Sequence, residues 1–442
     1  MTIPDRSPGL QHTGSKADRD IVCLSAIILS VVASFAVGFL LGEDSTGGMR
    51  GDFYNFHWPA IERFSALSWY TAIAKDYPVS NNPLLYMIVS LLPLHGNQKI
   101  YHALTFLIAL LVWPLLAWAY RRRYSNYEID WLWALFGASA ILISPSFRSS
   151  AFWGTTDYLP IGCCVGTSLL LSRFQDLGTH EARAISPSTL ITLAVISSCA
   201  FYIRQFYAFL PIFVAWTILT RTKTAPFLVF SVFFTAAVPE LFLICVWKGI
   251  NAPSNYFVFH PTLTNVVLVG SNIALMSTPL ILGCIRRSVG DVLPKWWNAR
   301  ATVVAIVGLF VFIMALWPPE WPAVGGGIIA KAGMSIGVLG TPFILTVSYL
   351  GLAAAILFSV SSATNAVLAA TFVIPFFTDR FSQQHYLEPS LAVAFFLFAD
   401  METAKKVFTK RVLKYNFVFC AVLLAIAIVY YDLSISSVSF YE

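Results

Sequence analysis

Charge is what this sequence has least of: Asp, Glu, Lys and Arg make up only 11% of its 442 residues, where soluble domains carry about 25%. With 57% hydrophobic residues and a mean hydropathy of +0.72, this excludes a cytosolic enzyme, a disordered tail or a collagen-like chain. The seven cysteines, Cys23, Cys163, Cys164, Cys199, Cys245, Cys284 and Cys420, lie in or at the ends of apolar segments. Beyond one adjacent pair they have no ligand-type spacing, so neither a zinc site nor a disulfide framework is implied. No Asn is followed by x-Ser or x-Thr, and Ser-Phe-Tyr-Glu at the C-terminus is no retention signal. Both favour a bacterial inner membrane over the endoplasmic reticulum. No small-residue cleavage site follows the first apolar run, so 21–41 reads as a retained helix behind a cytoplasmic tail, 1–20. Internal repeats, low-complexity tracts and a soluble appendage are also missing, which leaves 21–442 as one membrane domain.

What fills the sequence instead is a series of apolar runs of roughly 17 to 25 residues, the length that crosses a bilayer as a helix. The runs predict an all-α polytopic membrane protein with about 11–13 transmembrane helices. Their approximate spans are 21–41, 101–120, 131–147, 158–172, 189–203, 206–220, 225–247, 263–285, 301–317, 342–360, 366–378, 389–400 and 415–433. A net charge of +6 does not point to nucleic acid, because the basic residues form short clusters between the runs. With the N-terminus inside, most of the 28 basic residues fall on the cytoplasmic side, among them Arg121 to Arg123, Arg286, Arg287, Lys410 and Lys414.

The same parity gathers the polar stretches on the opposite face: 42–99, 148–157, 248–262, 317–341, Arg204-Gln205 and 378–389. A transporter would more often hold its ionisable residues at mid-membrane in two matching halves. The first outer loop, 42–99, is too aromatic for a solvated loop and predicts short helices at the membrane surface. Asp52, just beyond the first helix, is placed to serve as a general base, or else to N-cap the next short helix. Arg204 interrupts an apolar stretch and needs an anionic partner: an internal carboxylate such as Asp52, Glu62 or Asp157, or a phosphate gripped in bidentate fashion. Trp153 to Tyr158 reads as a re-entrant turn bearing Asp157 or as a capped short helix. Lys248 exits its helix either as a snorkelling cation or as a phosphate contact. Asp379 to Pro389 packs Arg380, Gln384, His385, Tyr386 and Glu388 into eleven residues, more polarity than helix packing explains.

In their order these motifs resemble a known family. Phe56-His57-Trp58-Pro59 with Arg63-Phe64 is similar to the F-H-x-P-x-x-x-R-aromatic run in the first lumenal loop of the terminal α-1,2-glucosyltransferases of the dolichol pathway. Tyr77-Pro78-Val79-Ser80-Asn81-Asn82-Pro83-Leu84-Leu85-Tyr86 resembles that family's D-P-x-I-T-T-x-P-G-L-Y, one residue shorter. Arg204-Gln205 matches the start of its R-Q-T-N, and Gln384-His385-Tyr386 matches part of its R-H-Y. The family's adjacent D-E pair is here a single acid, Asp52, with Phe53 and Tyr54 at the equivalent places.

The resemblance implies the GT-C fold and inverting transfer of a sugar from a polyprenyl-phosphate donor to a hydroxyl of a glycan or glycolipid acceptor. For this chemistry Asp52 is assigned as base, Arg204 and His385 as donor-phosphate ligands, and Lys248 or Arg380 as weaker seconds. Acceptor and sugar contacts fall to His57, Asn81, Asn82, Asp157, Gln205, Gln384 and Tyr386. One leaving phosphate faced by several cations requires no metal cofactor, although Asp52 with Asp157 would suit a divalent ion. The rival readings are a polymerase or ligase using a diphosphate-linked donor, which usually has an Arg-rich outer loop, and a lipid or sugar transporter.

Overall fold

A computed structural model describes residues 13–75, 77–79, 81–92, 96–125, 129–175, 184–248, 262–284, 308–309, 327–377 and 384–433. Among them there is no strand; the chain is an all-α polytopic membrane protein. Six helices are long and apolar enough to cross a bilayer: α1 (Thr13–Leu41), α6 (Gln98–Arg123), α12 (Pro226–Trp247), α13 (Leu263–Cys284), α15 (Gly340–Ser359) and α20 (Lys410–Ala427). The shorter apolar helices are α7 (Trp131–Ser139, continued by a 3-10 turn to Ile143), α9 (Leu159–Gln175), α10 (Pro187–Ile203) and α16 (Ala363–Phe377). The span expected over 301–317 lies outside the described residues apart from 308–309.

Burial shows why these runs need a membrane. On α12, Phe227, Phe230 and Phe234 are 83%, 62% and 64% exposed, an apolar stripe that water would not tolerate and lipid solvates. Where helices meet, small residues set the distance. A Cβ on Gly351 of α15 would overlap the Gly270 carbonyl of α13, so only glycine allows this approach. At one end of the bundle, α6 terminates in Arg121, Arg122 and Arg123, cations that complement its C-terminal dipole. The Arg123 guanidinium donates to the Ala399 carbonyl there, Tyr124 stacks flat on Phe408 at 3.8 Å, and the Tyr124 hydroxyl donates to the Phe396 carbonyl at 2.7 Å.

The first helix starts at Thr13, ahead of the apolar run at 21–41, with Asp18, Arg19 and Asp20 exposed on it. The segment 148–157, expected as an outer polar stretch, begins inside α8 (Pro145–Trp153), of which every residue is buried. Arg148 is 1% exposed and structural. Its Nε and Nη2 donate to the two carboxylate oxygens of Glu43 at 2.8 and 2.5 Å, and its Nη1 and Nη2 donate to the Leu142 and Ser34 carbonyls, both at 3.1 Å. A buried guanidinium is tolerated when all its donors are used this way.

That strut fixes the chain as it leaves α1. Trp153 Nε1 donates to the Glu43 carbonyl at 3.0 Å, and the Thr46 N–H donates to Ser149 Oγ at 3.1 Å. From there 42–99 folds as short helices, as expected: α2 (Met49–Asp52), a π turn (Phe53–His57) running straight into α3 (Trp58–Ala66), then α4 (Trp69–Ala74) and α5 (Leu84–Leu91).

Candidate functional site

Asp52 sits within the continuous α2–α3 helical run, at φ −61° and ψ −39°, and its side chain makes no capping bond. Asp44 does the capping instead. Its Oδ2 accepts from the Arg50 N–H at 2.9 Å and its Oδ1 from Thr46 Oγ1 at 3.1 Å. The Asp52 carboxylate therefore has no hydrogen-bond partner among the described residues. It is half-buried, and its pKa is pushed up from 3.8 to about 6 by desolvation, against the pull of Arg204 and with help from Asp157 and Asp44.

Arg204 is presented by the end of α10. The helix stops at this residue, which turns extended (φ −147°, ψ 119°) before a 3-10 turn, Gln205–Ala208, opens α11 (Phe209–Arg221). Of the partners weighed from the sequence, the structure assigns Asp157. Arg204 Nε donates to Asp157 Oδ1 at 2.9 Å, both side chains buried, while Nη1 donates to Thr156 Oγ1 at 2.9 Å and Asn81 Oδ1 at 3.1 Å. Burial lifts the Asp157 carboxyl and the Arg204 charge lowers it. Asp157 does not cap a helix; its N–H donates to Ser150 Oγ at 3.0 Å, which folds the turn back on α8.

The network continues through Asn81, whose Nδ2 donates to Thr156 Oγ1 at 3.0 Å and whose side chain also bonds the Tyr86 hydroxyl. That hydroxyl pairs with His57 Nδ1 at 2.7 Å. Burial, followed by the Arg204 charge, drives the His57 pKa down to about 3, so His57 is neutral and serves as a dipole rather than a cation. Asp52, His57, Asn81, Asp157 and Arg204, from four separate parts of the chain, thus share one site. Asn82 lies beside them but turns away, its Nδ2 donating to the Phe201 carbonyl at 3.0 Å and to Glu240 Oε2 at 3.1 Å.

Gln384, on the short helix α17 (Gln384–Leu387), belongs to a neighbouring cluster. Its Nε2 donates to Glu388 Oε2 at 3.4 Å, its Oε1 accepts from the Ile328 N–H at 2.9 Å, and Ser144 Oγ donates to Glu388 Oε1 at 2.7 Å. Tyr207 joins the two clusters. It hydrogen-bonds Ser390, at the start of α18 (Ser390–Phe398), and lies within electrostatic reach of Asp157 and Arg204. His385 and Tyr386 are on α17, but their side chains, like all of Arg380, fall outside the described residues. Lys248 is not brought into the cluster: it ends α12 exposed, in the left-handed region at φ 55°. The expected pairing of Asp52 with Asp157 about a divalent ion finds no third acid, His or Cys in ligating position among the described residues.

Sequence reasoning passed over three contributors. Glu240 had a readable signal, a lone acid beside Pro239 within an apolar run. The Glu43–Arg148 pair and the Asp44 cap had none, because each depends on contacts that local pattern does not encode. Comparisons with protein-family models, curated proteins and solved structures give no match for this chain.

Proposed function

We propose that this protein is an inverting membrane glycosyltransferase that moves a hexose from a polyprenyl-phosphate donor to a hydroxyl of a glycan or glycolipid acceptor. In this reading the site faces the non-cytoplasmic side of a bacterial inner membrane. The observation that carries it is Asp52, a half-buried carboxylate free of hydrogen bonds among the described residues, with a pKa near 6 and an ordered guanidinium close by. A base of that pKa is matched to accepting a hydroxyl proton near neutral pH. As the acceptor oxygen bonds to the anomeric carbon, its proton passes to Asp52, and the bond from that carbon to the phosphate oxygen breaks to release polyprenyl phosphate. Arg204, oriented by Asp157, Asn81 and Thr156, supplies fixed positive charge near the reacting groups without rearrangement. His57, held by Tyr86, offers a neutral imidazole to sugar hydroxyls.

Sugar transfer in detergent from a panel of synthetic polyprenyl-phosphate hexoses tests this directly, and absence of transfer from every donor would remove it. A transporter is the second reading, favoured by Glu240 and Glu388, acids buried within the bundle beside Pro239 and Pro389. Uptake in proteoliposomes without transfer in detergent would select it.

A further inference from the structure

Arg204, the cation that sequence reasoning gave to the donor phosphate, is already engaged by Asp157, Asn81 and Thr156. A phosphate needs a cation less committed to the protein, and a polyprenyl chain needs an apolar channel. The molecule offers both together, away from Arg204.

Between α1 and α20 runs a groove with a volume of about 470 Å³, open at the surface of the bundle. Ala26, Ser30 and Ser34 form one wall, spaced four residues apart on a single face of α1, and Ala421 and Ala425 repeat that spacing on α20. These small side chains leave open the space that larger ones would fill. The groove lies within two membrane-crossing helices and is almost wholly apolar, so a hydrocarbon chain suits it and a sugar or peptide does not.

About one turn beyond Ile428, at the groove's upper end, the π-helical end of α20 (Ile428–Leu433) presents Tyr430 and Tyr431 to Lys331 of α14 (Gly327–Ser335). Lys331 Nζ donates to the Tyr431 hydroxyl at 3.0 Å and stands 5.1 and 5.2 Å from the Tyr430 and Tyr431 ring centroids. It is half-buried, and among the described side chains no acid pairs with it. An ammonium has three donors, so this cation retains capacity for an anion. Tyr431 also touches the loop that leads to the site: Gly47, at φ +71°, is packed so closely on its ring that any Cβ would overlap it. Asp52 follows five residues later.

We propose that the groove between α1 and α20 seats the isoprenoid chain of a polyprenyl monophosphate and that Lys331 receives its phosphate. The ligand class rests on the donor chemistry proposed above; the seat itself rests on the groove and the cation at its mouth. A bilayer phospholipid is the competing occupant.

The experiment photolabels the full-length protein in nanodiscs with a diazirine-bearing polyprenyl monophosphate that carries no sugar, then maps the labelled peptides. Label should fall on 26–34 and 417–428. Ala425→Phe, and independently Ser30→Phe from the other wall, should cut it severalfold while thermal unfolding stays near wild type. Lys331→Gln should weaken monophosphate labelling on the order of tenfold, the scale of a lost charged hydrogen bond, and leave labelling by the uncharged polyprenol unchanged. Label elsewhere, label indifferent to Lys331→Gln, or a groove labelled equally by a diacyl phospholipid probe that polyprenyl monophosphate does not displace would each overturn the proposal. Transfer activity without groove labelling sinks this inference alone; groove labelling without transfer from any donor sinks the enzymatic reading alone.

Discussion

Arg204 Nε donates to Asp157 Oδ1 at 2.9 Å, in a setting where neither side chain is more than 11% exposed. The pair makes Arg204 an oriented part of the protein whatever else it does. Breaking it by Arg204→Ala should cost about 3–5 kcal/mol, because Asp157 is left charged and buried. Replacing both, as Arg204→Met with Asp157→Leu, should recover most of that stability in thermal unfolding. If Arg204 also serves turnover, the double variant folds but remains inactive. Recovery of both stability and activity would make the pair purely structural.

Asp52 should destabilise the wild-type protein at neutral pH. Its folded pKa, about 6, exceeds its ordinary 3.8, so the native state prefers the protonated acid. Stability is therefore lost as pH rises from about 4 through 6 and stays lost above. Asp52→Asn, which cannot ionise, should unfold at a higher temperature than wild type at pH 7.5, by an amount worth about 1–3 kcal/mol. The two proteins should converge below pH 4. An equal gap at both pH values would show that ionisation is not the cause.

The Arg148–Glu43 strut makes a contrasting prediction. Arg148→Met alone leaves a buried carboxylate and strips donors from the Ser34 and Leu142 carbonyls, so a loss of about 3–5 kcal/mol is expected, seen as poor accumulation in the membrane. Pairing it with Glu43→Leu should restore folded protein.

Sidedness is checked by cysteine labelling. Single cysteines at Tyr54 and Trp69, both exposed positions in 42–99, should react with an impermeant thiol reagent only from outside, and one at Arg122 only from the cytoplasm. The reverse pattern would invert the topology.

The helices were legible in the sequence because lipid imposes a simple requirement: long uninterrupted apolar runs, which α1, α6, α12, α13, α15 and α20 satisfy. The short and broken elements were harder. Residues of α8 read as a polar stretch because Arg148 and its serines look solvated until Glu43, more than a hundred residues away in sequence, neutralises the charge. For the site, the expectation that Asp52, His57, Asn81, Asp157 and Arg204 share one face, with Asn82 and Lys248 among them, followed from parity and motif order. Which carboxylate would hold Arg204 did not, since Asp52, Glu62 and Asp157 all reach the same face. Only the turn after α8, set by Gly154 at φ +64°, decides for Asp157.

If Asp52 is the general base, as proposed, Asp52→Asn removes the base and leaves the fold. Asp44, not Asp52, caps α2, so the substitution removes no structural bond of the described residues. In a transfer assay with polyprenyl-phosphate hexose, wild-type rate should rise with pH through an apparent pKa of about 6. The Asn variant, folded and still binding the donor lipid, should lose on the order of 10²-fold or more in rate and show no such rise. A near-normal rate in the Asn variant, with the pH profile intact, would rule Asp52 out as the base.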